Sequence, residues 1–424
     1  MLSSRAWWVF LALMGPLVGV SFISAVHTYA EASGLNGTTA GVGEAFSPLV
    51  GVWAPTFSAC ELAAAFLLPF VAIRLVAGDR QSGALKVELQ HPMSSLPRIV
   101  AKALVLLAGW MIASLAPLVA ILLWKSYGGS LYAPEILTVA GGHLLNAGLT
   151  IALAATAASL AEHPSTAAII TLAVTVSCWI VNFVAAIHGG WWERAAAYTP
   201  TALVAQFQHG LVQLDTVLIA LTLILFGLVF AAVWIRLGVA VRRRSLESLA
   251  VAGVTALLIL ACTRANASWD NSEDRMNSFS RADEQALRKI AAPLSIEAHF
   301  APEDPRRTDL ERRALSKLRR VMPNLDVRYV SATSIGLFEQ TASHYGEISY
   351  SLGGRTAVSR ATTPEAVLEA IYTLASIPPP AETDASSFRG HPLAVEARGA
   401  AWLFYGAWPA LVAAGSFFVI KKQL

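Results

Sequence analysis

The sequence predicts an α-helical polytopic membrane protein with about eight transmembrane helices and a small α/β extracytoplasmic domain between the last two. Three observations predict it. The 424 residues are 55% hydrophobic and only 14% charged, with a mean hydropathy of +0.55, whereas a soluble globular chain carries roughly one-quarter charged residues. Eight apolar runs reach the roughly 20 residues that a helix needs to cross the hydrocarbon. One long hydrophilic stretch, from about Thr263 to Arg398, interrupts them before the last run.

The runs are Ala6 to Tyr29, Val50 to Val76, Val100 to Trp124, Ile136 to Leu160, Ser165 to His188, Asp215 to Ile235, Leu246 to Cys262 and Ala400 to Ile420. A helix is the expected form because lipid offers backbone amides no partner, so each segment must satisfy its own. The fourth run is rich in Gly, Ala and Thr, which suits a helix packed closely among others. Basic residues separate the loops into two sets. Arg5, Arg74, Arg80, Lys86, Arg98, Lys102, Arg236, Arg242 to Arg244, Lys421 and Lys422 fall in one. The short loops of the other hold little beyond Lys125 and Arg194, and Glu31 to Pro48 has no basic residue. Both termini are therefore expected in the cytoplasm and residues 264–395 outside it.

Within the hydrophilic stretch, Leu294 to Phe300 alternates as a strand does, Asp309 to Val321 carries apolar residues at helical spacing, and Leu325 to Val330 alternates again. This is a β-α-β unit, expected to be parallel. A hairpin follows, Glu347 to Tyr350 and Thr356 to Ser359 joined through Gly353-Gly354, then a helix opening at Pro364. The order resembles a thioredoxin-like layer, without a CxxC pair for redox chemistry. Arg306, Arg307, Arg312, Arg313, Arg319 and Arg320 are interleaved with Asp304, Asp309 and Glu311, which favours a solvated helix face over an anion-binding patch. Residues Ile377 to Arg389 read as a linker.

The loop between the second and third runs reads Leu68-Pro-Phe-Val-Ala-Ile-Arg74, then Gly78-Asp79-Arg80-Gln-Ser-Gly83-Ala-Leu85-Lys-Val-Glu88-Leu89-Gln-His-Pro92-Met93-Ser94, then Ile99-Val-Ala-Lys102. The positive-inside rule accounts for its charges but not for the placement of its Gly and Pro residues. This segment resembles the ABC type-2 exporter permeases, particularly the branch typified by gliding-motility and nitrous-oxide-reductase-maturation permeases. The resemblance implies that Asp79, Arg80, Gly83, Leu85, Glu88, Leu89 and Pro92 form a coupling helix that docks on a separate ATPase. Tyr198-Thr-Pro200 through Gln206-Phe207-Gln208-His-Gly210 to Asp215 is similar to the short re-entrant external helices of that family. Arg264 to Pro293 resembles the start of the auxiliary component of gliding-type systems.

On this resemblance, residues 1–244 are a six-helix permease, 245–263 an anchor helix, 264–395 an auxiliary α/β domain with its linker, and 396–424 the last helix and tail. The implied setting is the bacterial cytoplasmic membrane, and the implied partners are ABC ATPase subunits, a second permease copy in a homodimer, and a substrate or envelope protein at the outer domain. No GxxxxGK[ST] phosphate loop occurs, so ATP and Mg would be bound by the partner, leaving this chain without a cofactor.

Ionisable and amide groups inside the runs are costly, so Glu61, His143, Asn146, Asn182 and His188 are candidates for a translocation path. The bland alternative is that the amides bond neighbouring helices and that Glu61 and His188 lie near the interface. Cys60, Cys178 and Cys262 lie in or at the end of apolar runs without metal-ligand spacing, and read as small buried hydrophobes. Arg242 to Arg244, an apolar run and Cys262 resemble a lipoprotein signal, but the internal position favours a plain signal-anchor helix. HExxH and GxSxG are absent, which disfavours a membrane hydrolase. A net charge of +3 supports no nucleic-acid partner. A non-transporting anchor whose outer domain binds envelope proteins is the competing reading.

Overall fold

The structure is a computed structural model that describes residues 4–36, 47–81, 94–188, 190–236, 238–301, 304–330, 344–380 and 390–421. The chain forms two compact units, one of Met1–Ile180, Tyr198–Asn271 and Arg389–Leu424, the other of Val181–Ala197 and Ser272–Phe388. Among the described residues eight helices are long and apolar enough to cross a membrane, so the chain is a multi-pass helical membrane protein.

The first unit begins with α1 (Arg5–Asn36). The second span is a π-helical turn at Leu49–Trp53, α2 (Ala54–Phe66) and α3 (Leu68–Gln81). The third is α4 (Ser95–Ala113) and α5 (Leu115–Ser126). The joints fall just before Pro69 and Pro117, where a missing N–H and the proline ring interrupt the helical ladder. The fourth span is α6 (Ala133–Leu160), and the fifth is α7 (Pro164–His188), whose last turns belong to the second unit. After α8 (Trp191–Ala196), a short helix α9 (Pro200–Gln208) and strand β1 (Leu211–Gln213) lead into the sixth span, α10 (Leu214–Trp234). The seventh is α11 (Val241–Cys262), followed by strand β2 (Ser268–Asp270), which pairs antiparallel with β1, Leu211 opposite Asp270.

The Gly- and Ala-rich fourth span is indeed closely packed. A Cβ on Gly227 of α10 would stand 3.0 Å from the Ala152 Cβ and 3.1 Å from its carbonyl oxygen. Thr156 uses that close approach to donate to the Gly227 carbonyl at 3.0 Å. At one end of the bundle the Tyr29 hydroxyl donates to the His391 carbonyl, the Leu393 N–H to Ser33 Oγ, Tyr127 to the Arg398 carbonyl and Asn271 Nδ2 to Thr138 Oγ1. Those residues lie at or just beyond the ends of the first, third and seventh spans, or at or just before the starts of the fourth and eighth. At the opposite end Arg236 and Arg243 both bond Glu247, and Trp234 Nε1 donates to Ser248.

The second unit holds α12 (Arg281–Arg288), β3 (Leu294–Ala298), α13 (Pro305–Leu310), a π-helical turn at Glu311–Leu315, α14 (Ser316–Val321), β4 (Leu325–Tyr329), β5 (Ile348–Leu352), β6 (Arg355–Ser359) and α15 (Pro364–Ala375). The sheet order is β4-β3-β5-β6. Strand β3 runs parallel to β4, with Ile296 opposite Val327, and antiparallel to β5, with Ile296 opposite Tyr350. Alternate residues of β3 and β5 face a core that also takes Leu310, Leu318, Val367 and Ile371. The hairpin turns on Gly353 and Gly354, both at positive φ (57° and 83°), which side chains disfavour. The helix expected from Asp309 begins earlier, at Pro305, because Asp304 accepts the Arg306 N–H at 2.9 Å and caps it.

The last span joins the first unit through a π-helical turn at Trp402–Ala407 and α16 (Trp408–Lys421). It lies on α1, where Phe404 meets Phe22 edge-on at 6.2 Å between ring centroids.

Candidate functional site

Two of the intramembrane polar residues singled out by sequence, Glu61 and His143, meet the short helix α9. The Phe57 ring of the second span stacks on the His143 imidazole of the fourth, with centroids 5.5 Å apart and planes 28° apart. Glu61 lies one turn beyond Phe57 on the same face, and Asn146 one turn beyond His143. Helix α9 spans the pair: Thr201 in its first turn lies within hydrogen-bonding reach of the Glu61 carboxyl, and Gln208 Nε2 stands 3.4 Å from His143 Nε2. Positions seven apart on a helix share a face, so a single face of α9 meets both.

Local chemistry holds α9 in place. Thr199 caps it by accepting the Ala202 N–H at 3.3 Å, and Pro200 occupies the first helical position, where no N–H is needed. At its other end Phe207 packs where a Cβ on Gly142 would be only 2.4 Å from the Phe207 Cβ, so Gly142 is what lets α9 approach the fourth span. Where short external helices are expected between Tyr198 and Asp215, the structure has one helix, α9, and a strand, β1, whose partner β2 lies beyond the seventh span.

His143 and Asn146 are only 3% and 5% exposed. His143 Nδ1 and Gln206 Oε1 are buried without a hydrogen-bond partner. Glu135, 2% exposed in the first turn of α6, is a further buried carboxyl that sequence reading passed over. So were Gln206 and Gln208. Their signal was present: two amides flanking Phe207 in a nine-residue helix, but a short helix between spans reads as surface until its neighbours are known.

The other candidates sit elsewhere. Asn182 is half-buried near the end of α7, and His188, exposed, has its Nδ1 3.3 Å from the Val184 carbonyl; both belong to the second unit. Asp79 and Arg80 fall in the last turn of α3, whereas Gly83, Leu85, Glu88, Leu89 and Pro92 lie outside the described residues. The three cysteines are unbridged, and Cys60 is buried.

The second unit carries a charged rim at the carboxyl ends of β3 and β4. Asp304 receives the Arg306 guanidinium at 2.8 Å and the Tyr345 hydroxyl at 2.7 Å. The guanidinium foremost, with Tyr345 assisting, lowers its carboxyl to about 2, and the carboxylate in turn raises Tyr345. Glu347 is lowered by His344 first and then Arg360, both at 2.8 Å. The arginines expected on a solvated face divide: Arg306 and Arg319 pair with Asp304 and Glu311, but Arg307, 12% exposed, stacks 4.2 Å over the Tyr329 ring and reaches Glu193 at 3.4 Å. Among the described residues no group of three or more His, Cys, Asp or Glu side chains is placed to hold a metal ion. No protein-family model matches this chain, and no curated protein or solved structure is significantly similar to it.

Proposed function

We propose that the chain is the membrane-spanning permease subunit of an ATP-driven exporter of the ABC type-2 class, working as a homodimer in a bacterial cytoplasmic membrane. The observation that carries this reading is the segment Leu68 to Lys102, where Gly83 and Pro92 punctuate a basic stretch between two spans. A short stiff helix held between such breaks can transmit a push from a cytosolic motor, and the flanking Arg74, Arg98 and Lys102 suit anionic headgroups. In this reading both termini are cytoplasmic, residues 264–395 are extracytoplasmic, and α9 lies at the end of the bundle away from the motor. The chain has no phosphate loop, so the partner ATPase binds ATP and Mg. The residues that would line the path are Glu61, His143 and Asn146, with α9 as their cover.

The test is capture of the ATPase by the tagged chain. Replacing residues 83–89 with a Gly-Ser segment of equal length should abolish capture while leaving the chain in the membrane; undiminished capture would refute the coupling role. A second reading, a non-transporting anchor, is favoured by one feature: the second unit has its own hydrophobic core and a charged rim, with Arg306 paired to Asp304 and Arg360 to Glu347, that could meet an envelope partner. ATP-dependent transport into vesicles with the ATPase present separates the two.

A further inference from the structure

A pair of histidines lies on the face of the second unit's sheet that is turned away from its core. Leu294, Ile296 and Ala298 of β3 are core residues, so the alternation of a strand puts His299 on the opposite face. The ladder between β3 and β5 runs one rung past their last strand pair: the His299 N–H donates to the Glu347 carbonyl at 2.9 Å, and the Gly346 N–H to the His299 carbonyl at 2.8 Å. Glu347 therefore stands opposite His299 on the same face. Gly346, at φ 83°, turns the chain so that His344 returns to them.

The two imidazole ring centres are 6.2 Å apart, with their planes inclined at 47°. An ion held on a ring nitrogen by a bond of roughly 2.0–2.1 Å lies about 3.2 Å from the ring centre, so two rings sharing one ion stand between about 4.5 Å and about 6.4 Å apart as the angle at the metal opens from a right angle to a straight line. The pair falls inside that range. His344 is exposed and His299 half-buried, so an ion has access and rotation of His344 can close the angle.

The surroundings are those of a ligating histidine. His344 Nδ1 lies 2.8 Å from Glu347 Oε2. Glu347, held below its ordinary pKa by His344 and then Arg360, is a carboxylate and can only accept. The proton is thus on Nδ1, which leaves Nε2 of the neutral ring with its lone pair. A carboxylate behind the imidazole is the outer-shell partner that metal-bound histidines carry, and it fixes their tautomer and orientation. Arg360 in turn holds the other Glu347 oxygen at 2.8 Å. The His299 ring makes no hydrogen bond among the described residues, so its nitrogens are available. Imidazole nitrogens select first-row divalent ions, Cu2+ foremost, over Ca2+ and Mg2+, which take oxygen ligands.

We propose that His299 and His344 bind one divalent transition-metal ion through two imidazole nitrogens, with Glu347 as the positioning carboxylate behind His344 and water in the remaining positions. The site stands independently of the exporter reading.

The experiment uses the full chain in lipid nanodiscs, purified without a polyhistidine tag and titrated with Cu2+ alone under electron paramagnetic resonance. The first equivalent should give a spectrum split by two nitrogens, and a large excess of Mg2+ or Ca2+ should not displace it. His299→Gln and His344→Gln should each abolish the two-nitrogen splitting. Glu347→Gln should keep the splitting but weaken the affinity about 10–100-fold, the cost of losing an outer-shell partner. His163→Gln, at an exposed histidine of the first unit, should change nothing. If His299→Gln does not fold, the exposed His344 decides the outcome.

A two-nitrogen spectrum that survives His344→Gln would overturn the site, as would a wild-type spectrum with one nitrogen or none. Displacement by Mg2+ or Ca2+ would overturn the ligand class. Unchanged affinity in Glu347→Gln would overturn the positioning role.

Discussion

The indole Nε1 of Trp408 donates to the backbone carbonyl of Leu11 at 2.7 Å, tying the last span to the first across 397 residues of sequence. The contact is possible because Gly15, one turn on from Leu11, has no side chain: a Cβ there would stand 2.2 Å from Trp408 Cδ1. Gly19 does the same for Phe404, whose Cβ would be 2.5 Å away. Two glycines four apart make a groove for aromatic side chains, the small-xxx-small device of membrane helices. Gly15→Leu should therefore dislodge the last span. A cysteine pair across spans one and eight should lose its disulfide crosslinking in that variant, while Trp408→Phe should retain most of it at a cost of about 1 kcal/mol.

The approach of the fourth and sixth spans predicts a graded series. Gly227→Ala places its Cβ at 3.0 to 3.1 Å from Ala152, a crowding that small shifts can absorb. Gly227→Val should cost about 1–3 kcal/mol by overpacking and also break the Thr156 hydrogen bond. Thermal midpoints in nanodiscs should fall in the order wild type, Ala, Val.

Tyr350 is fully buried in the core of the second unit, and its hydroxyl has no partner. Tyr350→Phe removes that orphan and leaves the ring, so it should be neutral or stabilising by about 1 kcal/mol. Tyr329, whose hydroxyl donates to Glu311 at 2.6 Å and whose ring carries Arg307, is the control. Tyr329→Phe should destabilise. Hydrogen exchange of the β3–β5 peptides measures both.

The charged rim makes the second unit acid-sensitive in a defined window. Asp304 titrates at about 2 in the folded chain, below its ordinary value near 4. A carboxyl lowered by folding contributes stability that is fully present above its unfolded pKa and is lost as pH falls through the folded one. Protection of peptides around Arg306 should therefore decline between about pH 4 and pH 2, and Asp304→Asn should flatten the decline. The size is modest, about 1 kcal/mol or less, because Arg306 is 47% exposed and solvent screens the pair.

Sidedness follows from the exporter reading. Single cysteines near residue 85 and at Ser349 should react with a membrane-impermeant maleimide from opposite faces of sealed vesicles.

The candidate site was partly legible before any coordinates. His143, Asn146 and Glu61 stand out because a polar group in a hydrophobic run is costly wherever its neighbours lie. Gln206, Gln208 and Thr201 do not, since amides in a segment between spans are ordinary. Asn182 and His188 stand out equally and yet lie in the other unit, because cost marks a residue without saying which neighbour it meets.

The sequence by itself determined where the eight spans lie and that a β-α-β unit precedes a hairpin, because both depend on local rules: a bilayer demands about 20 residues of self-bonded backbone, and strand or helix periodicity is written in adjacent side chains. Tertiary structure alone decided that β1 pairs with β2, that Gly15 and Gly19 receive Trp408 and Phe404, and that α9 covers His143. In lipid all apolar faces are alike to the solvent, so which faces meet is settled by shape and hydrogen bonds between residues far apart in the chain.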